Sequence, residues 1–166
     1  GSQLTLEIGG DEIARWTVEL RPDSPPSVRF AAPPTKTDRE VLHISYGAED
    51  DYGIEEMTLV LRRVAPPEGA GLDAAHLLDE DPLVLPLAAR GLDRTRIESA
   101  AYLDLTPHEW AGLPVEGTLT GRDALDQTGE SQKRVFILPE RSFNHPIARA
   151  IVAERRHLFA AEIERP

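Results

Sequence analysis

The chain has 166 residues, 29 acidic against 18 basic, for a net charge of −11. That balance disfavours a Lys- and Arg-lined grip on nucleic acid or on an anionic membrane surface. The absence of cysteine excludes a disulfide framework, a thiolate nucleophile and Cys-ligated zinc, and no apolar run approaches the roughly 18 residues of a membrane span.

The length fits one domain, or a domain with an appendage, able to bury a core without staples. Gly1-Ser2 reads as an expression scar, which implies that the natural N-terminus lies elsewhere. Leu4, Leu6 and Ile8 alternate with polar residues, Gly9-Gly10-Asp11-Glu12 follows, and Ala14, Trp16, Val18 and Leu20 share one face. This predicts a β-hairpin with a glycine turn and places Trp16 in a core. The letters GGDE occur in a nucleotide-cyclase signature, but Ile13 follows them and no phosphate-binding context surrounds them, so they read as a turn.

Pro25-Pro26, Pro33-Pro34 and Pro66-Pro67 break helices and punctuate extended segments. Between them the period is two. Val28 and Phe30 form a short strand; Leu42, Ile44 and Tyr46 a second; Met57, Leu59 and Leu61 a third. Residues 65–82 read as a long loop with one helical turn near Ala74 to Leu78. Leu83, Leu85 and Leu87 mark a strand, and Ile97 to Leu105 another. Pro107 to Gly112 reads as a tight turn around Trp110, before strands at Val115 to Arg122 and Lys133 to Leu138. Seven to nine short strands at about ten-residue spacing predict a β-sandwich.

After Pro139 the period becomes helical. Asn144 is positioned to cap a helix, with Pro146 at its first or second residue. Ile147, Ile151 and Leu158 fall on one stripe, and Val152, Phe159 and Ile163 on an adjacent one. No stop signal precedes Pro166, so the natural chain is expected to continue. Residues 1–132 carry 25 acids and 11 bases, residues 133–166 carry 4 acids and 7 bases. An acidic sandwich thus meets a mildly basic tail, and the helix either docks on its own sandwich or leads to a partner.

Two loops concentrate carboxylates: Glu49, Asp50 and Asp51 in one, Asp123, Asp126 and Glu130 in the other. In an immunoglobulin-like topology both open at the same end. Hard oxygens from two loops suit calcium, so Glu49, Asp50, Asp51, Asp123 and Asp126 are candidate ligands, against the alternative of turn chemistry with Gly53 and Gly129. No G-x-S-x-G elbow occurs, and no pair of the five histidines has metalloprotease spacing. No catalytic residue is therefore assigned. His43 is expected to face solvent from its strand. Trp110 reads as a plug on the sandwich edge or as a contact for a partner. With Ile147, Ile151, Arg155, Leu158 and Phe159 it completes the candidate partner-binding set.

Three ordered blocks carry a family resemblance. The first is Arg21-Pro22-Asp23-Ser24-Pro25-Pro26 with Val28, then Tyr46 and Glu49-Asp50-Asp51-Tyr52-Gly53-Ile54. The second runs from Asp104 to Leu113, and the third from Leu138 to Phe143 and on through Pro146 to Ile151 and Arg155-Arg156. Over residues 21–158 the chain resembles the bacterial family carrying domain of unknown function 4175, with Glu109 standing where the family pattern has proline. The resemblance implies an inner-membrane-anchored protein whose large region outside the cytoplasm is rich in helix, this sandwich lying in the periplasm. It implies no activity and no catalytic residues.

The expected fold is all-β, an immunoglobulin- or fibronectin-III-like antiparallel sandwich with an N-terminal hairpin and a C-terminal amphipathic helix. The expected divisions are residues 1–2 as scar, 3–21 as the hairpin (a sandwich extension or the remnant of a preceding domain), 22–139 as the sandwich and 140–166 as the start of a helical region. The expected function is a non-enzymatic interaction or scaffold domain in the cell envelope, with a calcium- or ligand-binding module as the alternative. No cofactor other than calcium, no nucleic acid and no direct membrane contact are expected. A protein partner and self-association through the helix are.

Overall fold

A computed structural model describes residues 2–19, 22–65, 76–78, 81–89 and 93–161. The first two strands, β1 (Ser2–Ile8) and β2 (Asp11–Val18), form an antiparallel sheet of their own. Gly9 and Gly10 both hold positive φ, 65° and 94°, as a two-residue turn matching the strand twist requires. Leu4 pairs with Trp16 and Leu6 with Ala14. The hairpin is as expected, but Trp16 is 49% exposed and belongs to no core. A two-stranded ribbon has one layer, so alternation alone leaves its apolar face open.

Ten strands follow: β3 (Ser27–Phe30), β4 (Thr35–Lys36), β5 (Leu42–Glu49), β6 (Ile54–Ala65), β7 (His76–Leu77), β8 (Leu83–Leu87), β9 (Arg96–Leu103), β10 (Pro114–Asp123), β11 (Thr128–Glu130) and β12 (Arg134–Ile137). They make an antiparallel β-sandwich. In one sheet β5 is central. β9 pairs along its whole length on one side, and β3 and β4 share the other. The chain breaks between β3 and β4 at Pro33-Pro34, which cannot continue the ladder. In the other sheet β6 and β10 are central; β7 and β8 share the outer side of β6, and β11 and β12 that of β10. The strand at His76–Leu77 replaces the helical turn expected there; residues 66–75 and 79–80 of that loop lie outside the described residues.

The core is the set of facing alternations. Leu42, Ile44 and Tyr46 from β5 and Met57, Leu59 and Leu61 from β6 are all at most 1% exposed, joined by Ile97, Val115 and Leu119. Burying each such aliphatic side chain stabilises by about 1.5–3 kcal/mol. The Tyr46 hydroxyl donates to the Ala88 carbonyl (2.9 Å), so its burial leaves no orphan. Segment 22–30 lies tightly over β10 and β11: a Cβ on Gly129 would stand 1.7 Å from the Pro26 carbonyl oxygen.

The sandwich has two distinct ends. The loops at 50–53 and 123–127 and the segment at Asp23 share one, the Asp51 end. The turn at 104–113 and the segment leading to α1 (Pro146–Ala161) share the other, the Trp110 end. Pro146 is the first helical residue, and His145, not Asn144, holds the cap position: its carbonyl accepts from the Arg149 amide (3.1 Å).

Candidate functional site: two ends and a free edge

At the Asp51 end the expected loops do open together, but most of their carboxylates are already engaged. Asp50 Oδ2 accepts from the amides of Tyr52 (3.0 Å) and Gly53 (2.6 Å). Asp123, 1% exposed, accepts through Oδ1 from Leu125 and Gln127, both at 2.8 Å. These are Asx-type turn bonds, and Gly53 supplies a positive φ of 112°. Asp126 pairs with Arg122 (2.7 Å), which also holds Glu56 (2.8 Å); these two partners raise the Arg122 pKa. Glu49 lies 3.6 Å from Arg96. Asp51 Oδ1 accepts weakly from the Ser24 amide (3.5 Å).

The structure adds Asp23, which was not among the candidates. Its Oδ2 accepts from Gln127 Nε2 at 2.7 Å. Desolvation raises its pKa, as do the Asp51 carboxyl against it and the charge of Asp123, while Gln127 lowers it. Asp23 Oδ1, Asp50 Oδ1 and Asp123 Oδ2 are buried without a hydrogen-bond partner. Calcium takes six to eight oxygens. Among the described residues, however, no group of three or more His, Cys, Asp or Glu side chains is placed to hold a metal ion. The five candidate ligands share an end and do not form a cage.

At the Trp110 end, Trp110 is 5% exposed and part of the core. It is the plug, and its ring offers no surface to a partner. The turn closes despite Glu109: His108 N bonds Leu105 O (3.0 Å), Ala111 N bonds His108 O (3.0 Å), and the Trp110 amide donates to His108 Nδ1 (3.2 Å). Glu40 clasps the outgoing chain by accepting from the Ser142 amide (2.7 Å) and the Ser142 hydroxyl. Both bonds favour its carboxylate and lower its pKa.

The helix touches the sandwich along one side. Ala148, Val152 and Arg155 are half-buried, and Arg155 Nη2 donates to the Ala111 carbonyl (2.8 Å). Clefts of about 280 and 270 Å³ flank Phe143 and Val152. On the adjacent stripe Ile147 is 65% and Leu158 62% exposed, while Ile151, also 65% exposed, borders the first of these clefts. The side chain of Phe159 lies outside the described residues.

A third feature is the outer edge of β9. Among the described residues β9 pairs only with β5. The Ala31 amide bonds the Ser45 carbonyl, and the Asp50 amide bonds the Thr95 carbonyl. Antiparallel alternation then directs the backbone groups of Ser99 toward Tyr46 in β5, and those of Glu98, Ala100 and Tyr102 outward. The other edges are blunted: β3 and β4 are split by Pro33-Pro34, β8 contains Pro86, and β7, β11 and β12 are two to four residues long. β9 is eight residues without proline. On its outer face Tyr102 stacks on His43 (4.7 Å), which is half-buried. No sequence signal marks an unpaired edge, because pairing depends on the order of strands in the sheet.

These features define a class: an antiparallel β-sandwich domain with a hairpin before it and a helix after it. Within that class the chain belongs to the family named Domain of unknown function (DUF4175), whose profile matches residues 1–166 and so takes in the hairpin and the helix as well as the sandwich. No curated protein and no solved structure matches the chain. Among the described residues no helix is long and apolar enough to cross a membrane.

Proposed function

We propose that this is a non-enzymatic interaction domain of a membrane-anchored envelope protein, working outside the cytoplasm and receiving an extended segment of a partner protein along β9. The unblunted eight-residue edge of β9 carries the reading. Such an edge binds by strand addition, with main-chain bonds giving affinity and alternate side chains giving selectivity. The test is capture from an envelope extract by the whole chain and by two proline variants. Ala100→Pro removes an outward N–H and leaves the fold standing, whereas Ser99→Pro removes a ladder bond to Tyr46 and destabilises it. A partner held by the wild type and lost by folded Ala100→Pro supports the reading. A partner retained by Ala100→Pro, or none held by the wild type, refutes it.

A second reading, a calcium-responsive module, rests on the partnerless oxygens of Asp23, Asp50 and Asp123. A melting temperature that is the same in millimolar calcium and in chelator removes it, because a ligand of the folded state alone must raise stability.

A further inference from the structure

Glu98, Ala100 and Tyr102 direct their backbone N–H and C=O groups outward from β9, and among the described residues no strand receives them. Proteins guard such an edge with proline, a bulge or charged side chains. β9 has no proline, and its ladder with β5 runs without a register shift. Its charged side chains are drawn away from the edge. Glu98 pairs with Arg29 of β3 across the middle strand, over Gly47, where a Cβ would collide with the Arg29 guanidinium. Arg96 leans toward Glu49 of β5, 3.6 Å away. The edge is left without a gatekeeping charge.

The sequence of β9 also matches itself. An antiparallel strand joining this edge must set its own outward groups against those of β9. When that strand is a second β9, even-numbered residues therefore meet even-numbered ones. A two-fold axis at Glu98 puts that carboxylate opposite itself, and one at Ala101 puts Glu98 opposite Asp104; like charges directly opposite are unfavourable. An axis at Ser99 sets Leu103 against Thr95, and one at Tyr102 leaves Ile97 beyond the pairing. An axis at Ala100 has none of these faults. On the outer face it sets Glu98 opposite Tyr102 and Ala100 opposite itself. On the inner face Ile97 meets Leu103 and Ser99 meets Ala101, so small side chains meet in the middle with apolar ones beside them. Two main-chain bonds form at each of the three outward pairs, and the half-buried Leu103 gains an apolar neighbour.

We propose that β9 pairs antiparallel with β9 of a second copy about a two-fold axis at Ala100, joining one sheet of each sandwich into a continuous sheet. The contact is isologous and closes at two copies. It rests on the same open edge as the proposed function and names what holds that edge until a foreign segment displaces it.

The experiment is analytical ultracentrifugation of the purified whole chain across a wide concentration range, with three variants at Ala100. This position is exposed on the outer face, so Ala100→Glu and Ala100→Lys fit the folded chain, as melting curves can verify. The wild type is expected to pass reversibly from monomer to dimer and to stop there. Each charged variant should dimerise about fivefold more weakly, because like charges then face each other at the axis. An equimolar mixture of the two should dimerise more tightly than either alone, because the charges across the axis are then opposite. Ala100→Pro removes the main-chain bonds of the central pair and should weaken the dimer at least about tenfold. A wild-type chain that stays monomeric overturns the proposal. So does a mass that grows past two copies, an Ala100→Pro chain that dimerises like wild type, or a mixture no tighter than its components. The charged variants keep every main-chain group of the edge, so a foreign segment is retained by both. Capture lost only with Ala100→Pro, beside a monomeric pure chain, overturns the dimer and leaves the proposed function standing. The expected dimer beside an extract that yields no foreign partner does the reverse.

Discussion

The strands β2 and β5 are both eight residues long and both alternate apolar with polar side chains, yet they end in opposite environments. In β5, Leu42, Ile44 and Tyr46 are at most 1% exposed; in β2, Trp16 is 49% and Val18 38%. Local propensity is satisfied equally in both. The difference is the second layer. β5 faces β6 and β10 across the sandwich, whereas β2 has β1 beside it and nothing described above it. A period of two makes a strand, and a facing sheet makes a core.

The contrast predicts unequal costs for equal truncations. Leu59→Ala leaves a cavity in a close-packed core and should lower stability by about 2–5 kcal/mol in urea denaturation. Trp16→Ala removes a larger side chain and should cost within about 0.5 kcal/mol at dilute concentration. A Trp16→Ala cost comparable to that of Leu59→Ala would mean the hairpin is covered within one copy, and the comparison would collapse.

A smaller effect separates the glycines of the same two regions. Gly129→Ala puts a methyl group into the Pro26 carbonyl, and backbone must move, so a loss of roughly 1–3 kcal/mol is expected. Gly10→Ala meets no atom within 4 Å and is strained only by its φ of 94°. Its effect should stay in the hairpin and leave the sandwich's unfolding midpoint in place. A sandwich midpoint that moves with Gly10→Ala would show the two regions folding as one unit.

Much of the sandwich was legible because its strands obey one rule throughout. Ile44, Met57, Leu59 and Leu119 sit where alternation puts them. For Trp110 the sequence left plug and partner contact both open, and its 5% exposure decides for the plug. What could not be read concerns relations between distant segments. Asp23 becomes part of the acidic end only because Gln127, 104 positions later, folds beside it. The short strands at Thr35–Lys36 and His76–Leu77 have too few residues to show a period and exist because β5 and β6 offer them an edge. Among the described residues β9 is paired on one side only because of where it sits in the sheet, and the composition of Arg96–Leu103 does not reveal it.

The helix should respond differently from the sandwich again. Arg155→Ala removes the bond to Ala111 and one of the half-buried side chains of α1. An isolated 16-residue helix is marginal. Helical ellipticity should therefore fall while the sandwich's melting temperature moves by less than the effect of Gly129→Ala. A melting temperature that drops with the helix would show that α1 is integral to the core.

The subtlest prediction sets the two ends against each other through pH. At the Asp51 end, burial, the Asp51 carboxyl and the charge of Asp123 raise the pKa of Asp23 in the folded state. Its contribution to stability is therefore complete below the ordinary aspartate value of about 3.9 and is lost as pH rises through the folded value. At neutral pH the ionised Asp23 works against the fold. Asn can still accept the Gln127 hydrogen bond, so Asp23→Asn should melt higher than wild type at neutral pH, and the gap should close in acid. At the Trp110 end the sign reverses. The two bonds from Ser142 lower the pKa of Glu40, so its contribution is present above the ordinary glutamate value of about 4.3 and is lost as pH falls through the folded value. Glu40→Gln should melt lower than wild type at neutral pH and converge with it in acid. Melting curves of the three proteins from about pH 7 to about pH 3 check both. Two gaps of the same sign would show that at least one end is not wired as the geometry has it, and Asp23→Asn without effect at any pH would detach the Asp23–Asp51–Asp123 arrangement from the folded state in solution.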